Sequence, residues 1–325
     1  MKILFLFALL VLARSLQASA LFDESLNELL TIEIETDLYK IKNEKSDYHS
    51  TTENFVNGQL RHNNKRFNAR IQTSGHSRLA GCEFPPLRLR LNESEIENTL
   101  FEGNKNVRIV THCHEDKLQL LFREHLIYKM YSLITPYSFR VRLFKVRYLD
   151  SDQREKAVTS FAFFVESDRS VEERLKLTEL KSDSTFNMKT YADIAEQWLN
   201  ASQVKFQEAF QHLIRNYDWV IFFTNPEETM SLANIKVFYD EKEGFPFPHD
   251  FDLAGVVTWN ADSFEDRYDE ENRCQEADMR KALTAILDHM DEFIQLVNED
   301  AYLDAGYKEQ FAGYLGRFKS VEDSC

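Results

Sequence analysis

The chain has 325 residues with 43% hydrophobic and 13% aromatic content, enough to bury the core of one large or two modest domains. Acidic residues outnumber basic ones 54 to 39, and a net charge of −15 excludes a general affinity for nucleic acid or anionic membrane. There is no HExxH and no GxSxG, and the nine histidines show no paired ligand spacing, so zinc-protease and serine-hydrolase chemistry are disfavoured.

Lys2 precedes an apolar run from Ile3 to Ala13, and Ala18-Ser-Ala20 has the small-x-small form of a cleavage site. Residues 1–20 therefore read as a secretory signal peptide. The run is too short to span a bilayer and no later apolar stretch is long enough, so no transmembrane segment is expected after cleavage. Losing Lys2 and Arg14 takes the net charge from −15 to −17. The mature protein is expected in the periplasm, at the cell surface or secreted. Cys82, Cys113, Cys274 and Cys325 lack CxxC spacing, and in an exported chain they point to disulfides rather than metal ligands. Of the three pairings, Cys82 with Cys113 and Cys274 with Cys325 is the one expected. Asn92-Glu-Ser and Asn200-Ala-Ser are formal glycosylation sequons, meaningful in a eukaryotic source.

Leu30–Lys42 alternates as Thr-Ile-Glu-Ile-Glu-Thr, the period of a half-buried strand. After Asn57-Gly58, Arg66–Thr73 alternates again, and the two runs are predicted to pair antiparallel. Ser74–Cys82 follows as a loop with Gly75 and Gly81 near its ends, then Pro85-Pro86 and the strand Leu87-Arg-Leu-Arg-Leu91. Loop and basic strand have the composition of an anion cradle, since small residues let backbone N–H groups approach a phosphate. An ordinary turn is the competing reading. Val107–Thr111 is a short strand, and Asp116–Leu133 carries apolar residues at helical spacing, predicting an amphipathic helix. Glu124 lies close to its apolar side and needs a cation such as Arg78, Arg88 or Arg90, unless it points to water. His112 and His114 flank Cys113, as surface residues or as metal ligands. Phe139–Leu149 and Ala157–Glu166 form a hairpin.

Helices dominate beyond residue 170. Tyr191–Leu199 and Phe206–Ile214 fit one or two helices broken near Asn200, Trp219–Phe223 is apolar, and Asn234–Tyr239 reads as a strand. One late stripe runs from Met279 to Val297 and another from Tyr307 to Phe318. Between them and the strand lies Phe245-Pro-Phe-Pro-His-Asp-Phe-Asp-Leu-Ala-Gly255. Its prolines restrict the approach to a strand edge or start, and Asp250 and Asp252, two apart in an extended segment, would share a face. Gly255 allows a sharp turn just afterwards. Two such carboxylates suit Mg²⁺, which is commonly held by one or two carboxylates plus substrate phosphates. A solvated acidic turn is the alternative.

The order of these features is specific beyond any one of them. Arg70-x-x-x-x-Gly75-x-Ser77-Arg78, the Leu87–Leu91 strand, Arg123-Glu124 on a helix, a strand ending in Glu166, Tyr217-Asp-Trp219, Asn234-x-Lys236 and Pro248-His-Asp-Phe-Asp252 together resemble the spore-coat protein H (CotH) kinase-like family. The chain especially resembles the exported, uncharacterised bacterial branch of that family, over roughly Arg66 to Gly255. The resemblance implies an α+β, atypical protein-kinase-like, two-lobed fold: a β-rich N-lobe with one helix over 21–170 and a mostly helical C-lobe over 171–325. It implies transfer of the γ-phosphoryl of ATP, with Mg or Mn, to a hydroxyl, with a protein Ser/Thr as the acceptor. Asp218 would accept the hydroxyl proton. Asn234 and Asp252 would hold the metal, with Asp250 supporting either role. Gly75, Ser77, Arg78, Arg88 and Arg90 would face the phosphates, Glu124 would anchor a phosphate-contacting cation, and Glu166 would lie near the nucleotide base. Arg88 and Arg90 stand where active members carry lysines, and a fork is not a point charge. A catalytically degenerate surface or periplasmic binding protein of the same fold is therefore the second reading. A nucleotidyl transferase is the third.

Overall fold

The computed structural model describes residues 20–23, 29–43, 55–75, 77–180, 199–221, 233–259 and 277–322. Residues 1–19, Cys274, Cys325, Tyr191, Ile194, Trp198 and the Asn225-Pro-Glu-Glu segment lie outside them. The described residues are mixed α+β and divide into two compact units. One comprises those up to Leu121 with Arg140–Ser170, and the other Phe122–Phe139 with those from Val171 onward.

The first unit is a closed seven-stranded barrel. Its strands are β1 (Leu30–Thr36), β2 (Val56–His62), β3 (Lys65–Thr73), β4 (Leu87–Leu91), β5 (Asn106–Val110), β6 (Val141–Asp150) and β7 (Val158–Val165), in the order β1-β2-β3-β4-β5-β7-β6. The parallel pairing of β1 with β6, from Leu30↔Phe144 to Thr36↔Asp150, closes it, so no strand edge is left open. Inward positions alternate with outward ones along each strand, and Ile32, Ile34, Leu60, Phe67, Leu89 and Phe164 help fill the interior.

Three sequence expectations change here. The first strand stops at Thr36, and Leu38–Asn43 is a short helix, α1, whose first amide donates to Asp150 Oδ1 (2.8 Å). β1 does not pair with β3, because β2 lies between them. Asn57-Gly58, between the two runs, is no connection but part of β2, where a Cβ on Gly58 would meet Glu35 O at 2.6 Å and Ile71 Cδ1 at 2.8 Å. The hairpin turns instead at Asn63-Asn64, both left-handed (φ 46° and 63°), as a two-residue turn of this hand requires.

Cys82 and Cys113 form the expected disulfide. Beside it His112, expected at the surface, is buried and stacks on Phe84 with centroids 5.3 Å apart. Burial is the main cause bringing its pKa down to about 4. His114 reaches Gly81 O (2.7 Å). Leu21, which follows the expected cleavage point, is wholly buried, and Arg142 donates to the carbonyls of Ala20 and Leu21, both at 3.1 Å. Short helices α2 (Ser77–Gly81) and α3 (Glu93–Ile96) occupy connections, and Asn92 caps α3.

Helix α4 (Leu118–Ile134) has the expected position but not the expected amphipathicity. From Leu121 to Tyr131 only Arg123 and Lys129 escape full burial, the pattern of a helix enclosed on all sides. The second unit adds α5 (Asp168–Leu175), which begins in the first, and a three-stranded sheet ordered β10-β9-β8, from β8 (Thr178–Glu179), β9 (Ile235–Tyr239) and β10 (Gly244–Pro248). Pro246 and Pro248 sit within β10, an edge strand, where a missing donor is tolerated. Helix α6 (Ala201–Leu213) is capped by Asn200, whose Oδ1 accepts from Gln203 N (2.9 Å) while its Nδ2 donates to Glu243 (2.8 Å). Helix α7 (Gly255–Thr258) follows, so Gly255 opens a helical turn rather than a sharp reversal. The first late stripe is two helices, α8 (Ala277–Leu287) and α9 (Met290–Glu299), broken at Asp288-His289. Then comes α10 (Ala305–Glu322).

The disulfide is compatible with export. Among the described residues no helix is long and apolar enough to cross a membrane.

Candidate functional site

In the second unit, four separate segments meet around Asp218 and Asn234. After α6 the chain passes Arg215 in the left-handed region (φ 53°) and reaches Asn216, which is wholly buried. Asn216 N donates to Gln211 O (2.9 Å), its Oδ1 accepts from Asp218 N (3.1 Å), and its carbonyl accepts from the Trp219 indole (3.1 Å). The loop is thereby pinned while Asp218 stays exposed. Val220 and Ala233 exchange a pair of backbone hydrogen bonds, bringing Asn234 alongside. Asn234 Nδ2 donates both to Asp218 O (2.6 Å) and to Asp218 Oδ2 (2.9 Å).

Asn234 precedes β9, and across the sheet its carbonyl accepts from His249 N (2.9 Å), one residue beyond β10. Next, Asp250 N donates to the Tyr128 hydroxyl of α4 (2.8 Å), and the Tyr128 ring meets Phe251 edge-on at 4.8 Å. Asn234 and Asp250 are both left-handed, at φ 54° and 60°. Asn and Asp enter that region more readily than other non-glycine residues, and such backbone is concentrated at functional sites. It also corrects the expectation for the acidic pair. The extended strand ends at Pro248, Asp250 is left-handed and Asp252-Leu253 is a turn, so alternation along a strand does not put the two carboxylates on one face. Both aspartates are half-buried and Phe251 between them is wholly buried.

The donors this region offers a cation are hard oxygens: the carboxylates of Asp250 and Asp252 and the Asn234 amide oxygen, whose nitrogen is held on Asp218. Among the described residues no three His, Cys, Asp or Glu side chains gather as a metal site. That set fits Mg²⁺ or Mn²⁺ shared with phosphate oxygens, and not an ion caged by protein alone.

The residues expected to face a nucleotide divide between the units. Gly75 is left-handed (φ 90°), and beside it Ser74 N donates to Pro86 O (2.8 Å); Ser77 and Arg78 open α2. Arg88 and Arg90 point outward from β4, Arg88 level with Arg108 on β5 and Arg90 level with Arg70 on β3. Arg70 and Arg90 both lie over the Phe55 ring, at 4.3 and 5.1 Å. Glu166 is wholly buried in the first unit, where Arg140 grips one carboxylate oxygen with two nitrogens (3.0 and 2.7 Å) and the Arg140 amide donates to the other (3.2 Å). Glu124 belongs to the second unit and is only 2% exposed, which removes the water-facing alternative.

No family model matches the chain, and no curated protein matches it. Among solved structures, it superposes on the crystal structure of the Helicobacter pylori proinflammatory kinase CtkA with a TM-score of 0.41 and 10% identity, over 86% of this chain and 93% of that one. A likeness of that degree carries no argument about activity.

Sequence reading passed over two residues of the site. Asn216 matches an Asx turn, an Asn whose side chain binds the amide two residues on, and that signal was available in Asn-Tyr-Asp. Tyr128 had no local signal, since only the tertiary fold puts its hydroxyl 2.8 Å from Asp250 N, 122 residues away.

Proposed function

We infer that the protein is an exported atypical kinase of the CotH kinase-like type, transferring the γ-phosphoryl of ATP to a hydroxyl, of a protein Ser/Thr, with a divalent cation. The observation that carries this reading is the hydrogen bonding of Asn234 to Asp218, with the His249-Asp250 segment bonded to the Asn234 backbone. These three stretches, separated in sequence by 16 and 15 positions, are the ones the resemblance singles out for the second lobe. In phosphoryl transfer the protein chiefly positions reactants and neutralises charge, so a small oxygen-rich constellation suffices. Asp218, exposed and held at its backbone by Asn216, is the base for the acceptor hydroxyl. Asn234, Asp250 and Asp252 would hold the cation, which when bound with ATP neutralises charge on the phosphates.

The second reading, a degenerate binding protein, is favoured by Glu166. Its carboxylate is committed to Arg140 on both oxygens, an arrangement that serves the barrel itself. Labelled ATP separates the readings. The kinase reading predicts transfer of the γ-phosphoryl to a hydroxyl of a general acceptor protein or of the chain itself, lost at least a hundredfold in Asp218→Ala and Asp252→Ala. Transfer that survives both substitutions would refute these residue roles, and retention of the nucleotide on the product would point to nucleotidyl transfer.

A further inference from the structure

Helix α6 carries Gln203, Gln207 and Gln211 at spacings of four, which places them along one side of the helix. Gln203 uses its Oε1 to accept from Thr135 (3.3 Å). Gln207 and Gln211 are both wholly buried, and among the described residues neither the oxygen nor the nitrogen of either amide has a protein partner. Asn216, bonded through its backbone to Gln211 O, is wholly buried too, and its Nδ2 is likewise unpartnered. Three amides between Gln207 and Asn216 thus leave three NH₂ groups and two carbonyl oxygens without partners among the described residues.

Buried polar atoms are almost always hydrogen-bonded, and leaving five dry would cost an amount comparable with the net stability of a domain. The composition of the set defines the guest. No charged side chain belongs to it, so a bare ion would be buried without a counter-charge. Donors and acceptors are mixed, which suits a molecule that both gives and takes hydrogen bonds. We propose that Gln207, Gln211 and Asn216 form an internal site for bound water. Buried waters make about three hydrogen bonds each, so a small cluster satisfies all five atoms. Through Asn216, whose Oδ1 holds Asp218 N, the hydrated amides also stiffen the loop that presents Asp218. Water at this site requires no catalytic role for Asp218.

The test is a crystal structure of the full chain at a resolution that shows ordered solvent, with ¹⁷O magnetic relaxation dispersion on the same protein and on the Gln207→Leu/Gln211→Leu pair. Water density within hydrogen-bonding distance of these amides, and a long-lived-water signal that falls in the double variant, is the expected result. Amides that bond to each other or to protein groups with no intervening density would overturn the proposal. So would an ion or organic molecule in that density, or an unchanged dispersion signal. If the double variant fails to fold, the density in the unaltered protein decides.

Discussion

Acid should destabilise this protein through its buried histidines, and His112 gives the cleanest way to see it. Its ring lies between Phe84 and the neighbourhood of Tyr148 (centroids 5.3 and 6.4 Å), its Nδ1 is buried without a partner, and its pKa falls from 6.5 to about 4. Burial is the main cause; Glu83 works against it, and His114 and Lys42 add to it. Because the folded pKa is the lower one, the penalty is absent above pH 6.5, where the ring is neutral in both states. It grows as pH falls, since the unfolded chain takes up the proton first, and is complete near pH 4. Each tenfold loss of proton affinity is worth about 1.4 kcal/mol, so the stability lost to acid at this one ring is roughly 3 kcal/mol. His125 in the second unit, brought by burial to about 3, adds a loss over an overlapping range. Asp150 and Asp304, both held below 3.8, give up their stabilisation only at lower pH. Urea unfolding at intervals from pH 7.5 to 4.5 should therefore show His112→Phe, which keeps an aromatic ring on Phe84, losing less stability across the range than the unaltered protein, by roughly 3 kcal/mol. The slope decides, not the absolute stability, because phenylalanine also changes the packing. Equal pH dependence in the two proteins would show that the acid sensitivity does not come from His112.

Gly58→Ala should destabilise the barrel by about 1–3 kcal/mol, because the new methyl meets the Glu35 carbonyl and Ile71 at contact distances of 2.6 and 2.8 Å; urea midpoints check this, and an unchanged midpoint would contradict it. Reducing Cys82–Cys113, which closes a separation of 31 residues, should cost about 3–4 kcal/mol by the loop-entropy relation. A melt with and without reductant, repeated on Cys82→Ser/Cys113→Ser, isolates that bond, and equal melting temperatures would exclude the effect.

Where structure followed the sequence, the cause was local. The Phe139–Leu149 and Ala157–Glu166 hairpin was legible from alternation and a polar connection, and β6 and β7 occupy those runs. Barrel closure was not, because the parallel β1–β6 ladder joins residues more than a hundred positions apart and leaves no neighbouring signal. β2 was missed for a physical reason: Gly58 resembles a turn residue, yet it is required by the close approach of β1. In α4 the polar Glu124 and His125 are both buried, so helical spacing of the apolar residues did not reveal a helix enclosed on all sides. At the candidate site the motif residues were legible as types in order. Their geometry was not, since Asn234 and Asp250, both left-handed, lie just before β9 and just beyond β10, a placement that neither residue signals alone.

The proposed chemistry stands or falls on a metal-dependent nucleotide site that includes Asn234 and Asp252. Thermal melting of the purified protein with ATP and Mg²⁺ or Mn²⁺, beside Asp252→Ala and Asn234→Ala, is the direct test. A ligand that binds only the folded state stabilises it by about 2.7 kcal/mol at a hundredfold excess over its dissociation constant, which raises Tm by several degrees. That rise is expected with ATP and metal together, and should be lost in both variants. No rise at millimolar nucleotide in the unaltered protein, or an equal rise in all three proteins, would contradict the assignment.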